Sequence, residues 1–537
     1  MDPSDAAELE PLSPELPAAL REASAYPEDE SAEAGIRELQ THISHVFLSA
    51  RRVYKLRKAV RPGFLDFGTR EARNGDAARE VALNRRLAPD VYLGLAPVWI
   101  EPSGVRLGPV SETLATACGG REAPEHCVVM RRLPDGRDAL SLLEAGQLAS
   151  RQIDAIARSV ADFHERVRLG TPAPFSAQEW RERICQRVDA AIPPIAGGDK
   201  LRTAAREFVA QHAARFEARR LAGRAVDAHG DLHLAHVWFE SDDAEPLFID
   251  CIEFSDDLRR IDVASEVAFL AMDLDYRKRS DLAERFLRRY ARESDDFDLY
   301  SVVDFYASYR AAVRSLVAAL AAEEPEVPAE QRSGAAGSAR RHLDLAQRAL
   351  ERGAHGGLVL MCGIVGTGKS SAAEVAADAL AGVVISSDRV RKRLSGLAPS
   401  DRSGAGEGIY TPERTDRVYR GLLERAQPVI ASGRVAVLDA TYARAAERES
   451  ARAFAHARAL PFRIVETRCE EAVALERLSR RERQGADPSD AGPSFHSTSA
   501  AGFEPVSEVS GDAHLVVHTD ACDWRAELRS ALGRAAG

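Results

Sequence analysis

At 537 residues the chain exceeds the size at which a single hydrophobic core keeps growing, so roughly two to four domains are expected. Its 45% hydrophobic and 29% charged content is that of a soluble globular protein, which excludes a disordered chain, and no apolar run approaches a membrane span. A net charge of -11 argues against a general nucleic-acid or membrane-surface binder and favours small-molecule partners.

Residues 1–33 carry Asp, Glu, Pro and Ala where a signal peptide would need basic residues and an apolar stretch. They read as a disordered leader. Seven cysteines without paired spacing suggest neither a disulfide framework nor a zinc site, so the expected compartment is cytoplasmic. Residues 34–320 open with strand-like runs at 45–48, 53–56 and 127–130 and then become mostly helical, which predicts an α+β bilobal domain. Among 72 basic residues only six are lysine, and a compact ammonium suits phosphate oxygens where a broad guanidinium does not. Lys55, on the second of those strands, therefore reads as a phosphate lysine, and Glu80 on a helix over 76–87 is spaced to pair with it. Further on, His229-Gly230-Asp231-Leu232-His233 is followed by a strand at 247–249 that Asp250 closes. In kinase-like folds two such acids put a base beside the acceptor hydroxyl and a metal ligand beside the ATP phosphates. The helix around 269–274, after Asp262 and Glu266, reads as a structural brace for that loop. Trp99, Trp180, Trp238 and Trp524 read as packing residues, and His212, His342, His456 and His518 stand too far apart for a metal site.

Residues 321–355 read as a linker and helix: AAEEPEVPAEQRSGAAGS at 321–338 has linker composition, and helical periodicity returns over 340–352. Residues 356–537 alternate apolar strands at 358–361, 383–385, 435–438 and 463–467 with helical stretches, the pattern of an α/β P-loop NTPase domain with a parallel sheet. The first strand runs into Gly363-Ile-Val-Gly366-Thr367-Gly368-Lys369-Ser370 and a helix that begins with Ser371. Glycines there let backbone N–H groups turn around phosphates, Lys369 reaches the terminal phosphates, and the Ser370 hydroxyl completes a Mg2+ shell. Asp439, ending an apolar strand, suits the second metal contact. Asp388 also ends a strand, at the rim where parallel sheets bind ligands, and is placed to accept a proton from a substrate hydroxyl. Arg477, Arg480, Arg481 and Arg483 on one helix running into 485–490 suit a lid over transferred phosphate, or else a solvated arginine face.

The P-loop, SSDRVRKRL, LDAT and arginine segments resemble the small P-loop kinases related to zeta toxins, polynucleotide kinases and gluconate-type kinases. That resemblance implies the base role for Asp388. Through THISHVFL, VYKLRK, FLDFGT, LNRRLAPDVYLG, VVMRRLP, HGDLHL and FIDCIEF, residues 36–320 resemble the aminoglycoside phosphotransferase family, in its branch fused to a C-terminal ATP-binding domain. This implies Lys55 on the ATP phosphates, residues 130–133 as the adenine-side connector, Asp231 as catalytic base and Asp250 as metal ligand, with Glu253 assisting. Two departures stand out. The family's metal-holding Asn is His236 here, and imidazole is a poorer partner for Mg2+. No Gly-rich loop covers the phosphates, so His42 and Ser44 of THISHVFL would have to serve. The expected function is an ATP- and Mg2+-dependent phosphotransferase acting on a hydroxyl of an unidentified small molecule, with Arg477 and Arg481 stabilising charge. A regulatory ATP-binding protein with a pseudokinase N-domain is the rival, and a kinase for nucleic-acid ends would require a basic groove beside Asp388. Oligomeric state is not legible.

Overall fold

The structure, a computed structural model, describes residues 9–61, 65–116, 124–324, 329–351, 353, 356–397, 401, 411–484 and 492–533. The chain divides into two compact units: Met1–Ser159, Phe163–Gly170 and Ala225–Glu266 in the first, and Val160–Asp162, Thr171–Arg224 and Val267–Gly537 in the second.

The first unit is built on an antiparallel six-stranded sheet of β1 (Arg37–Gln40), β2 (Ser44–Leu48), β3 (Arg52–Arg57), β4 (Tyr92–Glu101), β5 (Gly104–Leu107) and β6 (Glu125–Arg131). Their order across the sheet is β1-β2-β3-β6-β4-β5. Strand alternation sends Tyr54 and Leu56 of β3 into a core with Phe47 and Val129, which leaves Lys55 and Arg57 together on the other face. Helix Arg70–Asn84 starts where the Thr69 hydroxyl accepts from the Ala72 N–H at 3.2 Å. Two short antiparallel pairs, β7 (Ala225–Asp227) with β10 (Arg260–Asp262) and β8 (Val237–Trp238) with β9 (Leu247–Phe248), frame the loop that holds Asp231.

The expected leader is not disordered where it is described. Residues 9–34 form the helix Glu15–Ala19 and two 3-10 turns, and Leu16, Leu20, Ala25, Tyr26 and Ala32 complete the sheet's core. Tyr54 donates its hydroxyl to Asp29 at 3.1 Å. Few apolar residues suffice because they fall on one side of the segment and cover a sheet face that would otherwise be wet. Residues 1–8 of that leader lie outside the described residues.

The second unit contains a wholly parallel sheet of β11 (Gly357–Cys362), β12 (Val383–Ser386), β13 (Val435–Asp439), β14 (Phe462–Arg468) and β15 (His514–His518), in the order β12-β13-β11-β14-β15. Central β11 is buried along its whole length, as a strand flanked on both sides must be. The unit also takes in helices Ser280–Ser294 and Val303–Glu323, which sequence reading gave to the N-terminal domain. Arg434, before β13, makes paired hydrogen bonds to Glu284 at 2.7 and 3.0 Å and to Asp304 at 2.8 and 2.9 Å while only 5% exposed. A buried guanidinium requires such matching, so these helices and the sheet form one body.

The helix expected over 340–352 is present, but it starts earlier, so the linker reading of residues 329–338 is corrected. Residues Ala329–Leu350 are one 22-residue helix packed on Val303–Glu323, with the Ser315 hydroxyl donating to the Ala339 carbonyl at 2.7 Å. The Ala, Gly and Ser run that reads as flexible instead lets two helices approach closely. Residues 325–328 lie outside the described residues. Among the described residues no helix is long and apolar enough to cross a membrane.

Candidate active sites

In the first unit a lysine, an arginine and several carboxylates meet on the face of β3 opposite the sheet's core, most of them buried. Lys55 Nζ donates to Glu80 at 3.0 Å and to Asp250 at 2.9 Å. Burial depresses the Lys55 ammonium, but Asp250 and Glu80 outweigh it and leave its pKa above the ordinary lysine value. Two residues on, Arg57 donates to Asp76 at 2.6 Å, to the second Glu80 oxygen at 2.7 Å and to Glu253. Arg57 was not singled out from sequence. Its i+2 spacing from Lys55 was the available signal, since both must share a strand face. Glu253, expected to assist Asp231 and Asp250, is engaged by Arg57, and burial together with Glu80 pushes its carboxyl upward.

The Asp231 loop is held from inside. The buried carboxylate of Glu266 accepts from the His229 N–H at 2.8 Å and the Gly230 N–H at 3.1 Å, and Gly230 takes a φ of 89° that favours glycine. His229 bonds the Ile249 carbonyl through Nε2 at 2.8 Å, which assigns its proton to that nitrogen, and accepts from the Asp231 N–H through Nδ1. Burial pushes this imidazole down to about 3, so it stays neutral. Burial would raise the Asp231 carboxyl, but His233 and His236 outweigh that and hold it well below the usual range. Asp250 is likewise held low, first by Lys55, and its N–H donates to Tyr92 at 3.0 Å. His236 reaches both acids: its Nδ1 bonds the Asp231 carbonyl at 2.9 Å, and its Nε2 stands 3.6 Å from Asp250 Oδ2. Oxygen from Asp250 fits Mg2+, whereas the imidazole does not.

The β1–β2 turn closes without glycine, Thr41 N–H donating to the Ser44 carbonyl at 2.9 Å. Ser44 is fully buried with its hydroxyl accepting from Arg57 at 2.9 Å, so of the two residues expected to serve phosphates there only exposed His42 faces solvent. The expected connector begins in β6 and continues through Arg132 to buried Leu133.

In the second unit the loop after β11 bends through three glycines with φ of 142°, 91° and 86° at Gly363, Gly366 and Gly368. A Cβ on Gly363 would stand 2.6 Å from the Thr467 carbonyl, so that turn admits no side chain. Helix Lys369–Leu380 follows, aiming its N-terminal N–H groups at the loop. A cavity of about 930 Å3 at the carboxyl end of the sheet is lined by Gly366, Gly368, Lys369, Ser370, Ser371, Asp388, Asp439, Arg477, Arg480 and Arg481. Parallel pairing of β12 with β13, and of β13 with β11, carries Asp388 and Asp439 to the same rim as the phosphate loop. Lys369 Nζ donates to the Ile364 carbonyl at 3.1 Å, and burial lowers its pKa against the pull of Asp439 and Asp388. Burial pushes the Asp439 carboxyl up to about 6, opposed by a hydrogen bond with Ser370 and by Lys369. A hydroxyl and a carboxylate so joined are oxygen donors that fit Mg2+.

Two expected residues have other settings. Thr367 turns inward, its hydroxyl bonding Thr467 at 2.8 Å, so its contribution to a nucleotide is confined to backbone. Arg477 is anchored through both terminal nitrogens to Thr519, at 2.8 and 2.9 Å, which makes it a fixed wall of the cavity more than a moving lid. Arg483 is exposed, and residues 485–491, read as the continuation of the lid, lie outside the described residues. Sequence reading missed Thr519, Arg391, Tyr419, Arg444 and Glu447 on the cavity wall and gave Trp524 no role there, though it lines the cavity too. The missed residues come from segments far apart in sequence, with only Arg444 and Glu447 neighbouring one another at the start of helix Ala445–His456.

The phosphotransferase enzyme family (APH) matches residues 76–306 and an AAA domain matches residues 358–506. The chain is 34% identical over 465 residues to uncharacterized proteins of Mycobacterium tuberculosis strain H37Rv and of Mycobacterium bovis, covering 84% of this chain and 86% of each relative. An amicoumacin kinase solved with AMP-PNP, Ca2+ and Ami is 12% identical, covers 61% of this chain and 91% of its own, and gives a TM-score of 0.37. A gluconokinase from Sinorhizobium meliloti 1021 is 22% identical, covers 34% of this chain and 93% of its own, and gives 0.25.

Proposed function

The chain belongs to the family of these mycobacterial proteins and joins a phosphotransferase-family domain to a C-terminal AAA domain, and on that premise we propose that it is an ATP-dependent kinase for a hydroxyl of a small molecule. The observation that carries this reading is the single cavity shared by Lys369, Ser370, Asp388 and Asp439. A bare nucleotide switch has no use for a second carboxylate at that rim.

The Asp388 carboxylate would accept the proton of the acceptor hydroxyl as its oxygen attacks the γ-phosphorus, and ADP would leave from the opposite side. Lys369 and the backbone N–H groups of residues 366–370 would hold the transferred phosphoryl, and Arg481 would offset the charge that builds on its oxygens. Ser370 and Asp439 would hold Mg2+, which when bound would supply positive charge against that of the phosphates. In the N-terminal domain we assign Lys55, held by its pairing with Glu80, to the nucleotide phosphates, Asp250 and His236 to a metal and Asp231 to proton acceptance.

The test is phosphate transfer from labelled ATP to pooled sugars, nucleosides and aminoglycosides by the full chain and by its Lys369→Ala, Asp388→Asn and Asp231→Asn variants. Transfer that fails with Asp388→Asn and survives Asp231→Asn places the chemistry at the P-loop site. The opposite pattern moves it to the N-terminal domain. Absence of any labelled acceptor, with ATP binding intact, would remove the transferase reading.

A further inference from the structure

The turn that follows Asp231 brings together more nitrogen than a magnesium nucleotide site requires. His233 and His236 are three residues apart across the 3-10 turn Leu234–His236, where side chains at i and i+3 eclipse, and their ring centroids lie 3.8 Å apart. From Asp231 Oδ2 it is 3.6 Å to His233 Nε2 and 3.6 Å to His236 Nδ1. One ligand atom from each of the three residues lies within 4.8 Å of the others. These separations are long for hydrogen bonds. They suit atoms that share an ion, since two ligands about 2.1 Å from a tetrahedral metal stand roughly 3.4 Å apart.

The surroundings favour such use. Glu266 and His229 fix the backbone that carries Asp231 from within, so the loop is formed before any ion arrives. Side-chain exposures of 34% for Asp231, 13% for His233 and 15% for His236 leave a path from solvent and room for a water ligand. Ligation through His236 Nδ1 would replace the 2.9 Å hydrogen bond which that nitrogen donates to the Asp231 carbonyl and would move the ring proton to Nε2, which faces Asp250 Oδ2 at 3.6 Å, giving a carboxylate behind a metal-bound histidine.

We propose that Asp231, His233 and His236 form a binding site for a borderline divalent transition ion of the Zn2+ class, taken up without nucleotide and in preference to Mg2+. Two imidazoles and one carboxylate match the ligand preference of Zn2+ and Co2+, whereas Mg2+ seeks oxygen and keeps its waters. An ion there occupies the Asp231 carboxylate, so metal occupancy and proton acceptance by Asp231 exclude one another. The proposal rests on the ligands themselves and holds whether or not the N-terminal domain transfers phosphate.

The full chain, nucleotide-free and in excess Mg2+, is titrated with Co2+ and followed by visible absorption, then with Zn2+ by calorimetry. One tight equivalent is expected, weakened at least about tenfold by His233→Ala and by His236→Asn. X-ray absorption of the zinc-loaded parent provides a reading that depends on no variant, and two imidazoles without sulfur are expected. Absence of binding in excess Mg2+, affinity unchanged in both variants, or sulfur in the zinc shell would each overturn the assignment.

Discussion

The two candidate sites handle charge in opposite ways. The phosphate loop is eight consecutive residues, and the anion binding proposed for it rests on backbone N–H groups, a helix N-terminus and one lysine. The N-terminal site draws Lys55, Arg57, Asp76, Glu80, Asp231, Asp250 and Glu253 from positions far apart in sequence, several of them buried. A local motif of the first kind carries its geometry with it. A buried ionic network of the second kind exists only once sheet, helix and loop have met, so its members bear on stability as well as on function. Substitutions of polar side chains around the phosphate loop should therefore cost activity with little loss of fold, whereas substitutions in the network, or at a loop glycine that admits no Cβ, should cost fold as well.

The largest effect expected from this contrast is at Asp388. Asp388→Asn should lower transfer from the P-loop site by roughly 10²–10⁴-fold with the thermal midpoint unchanged, and a near-parental rate would remove Asp388 as base. Next is Arg57→Met, which leaves Asp76, Glu80 and Glu253 facing one another in a buried setting. A loss of about 3–5 kcal/mol in urea unfolding is expected, and a loss under about 1 kcal/mol would show that the network is not a stability element. Gly363→Ala should cost on the order of 1–3 kcal/mol, because a φ of 142° and the Thr467 carbonyl both oppose a Cβ, and ATP affinity should fall with it.

The smallest effect is on pH. Asp439 is raised from 3.8 to about 6 in the folded chain, so without metal its contribution to stability is present below 3.8 and is lost as pH rises through about 6. Binding of magnesium nucleotide needs the ionised form and should strengthen over the same interval, and the profile should flatten in Asp439→Asn. His229 carries the other sign. Its folded value of about 3 lies below the ordinary 6.5, so its loop loses stability as pH falls through that window. Hydrogen exchange at Gly230 and Asp231 would follow it.

Much of the P-loop region was legible because a motif read along the chain is also a motif in space. Strands at 358–361, 383–385, 435–438 and 463–467 were recognised as apolar runs, while β15, with exposed Val516 and a histidine at each end, lacks that signature and was not. Lys55, Glu80, Asp231 and Asp250 could be named individually. Arg57 could not, because its meaning lies in three carboxylates that come from a helix and a distant loop. His233 was read as part of a motif, and its approach to His236 depends on a 3-10 turn that composition does not announce.

Sequence alone determined the phosphate loop, the alternation of strands and helices around it, and which side chains carry titratable chemistry, since these depend on neighbours a few residues away. Tertiary structure decided that residues 9–34 cover a sheet, that helices at 280–323 join the P-loop sheet through Arg434, and that Thr367 and Arg477 are held by Thr467 and Thr519. Each of these is a matter of burial and charge pairing between distant segments, and a buried charge or apolar face acquires its partner only when the chain has closed around it.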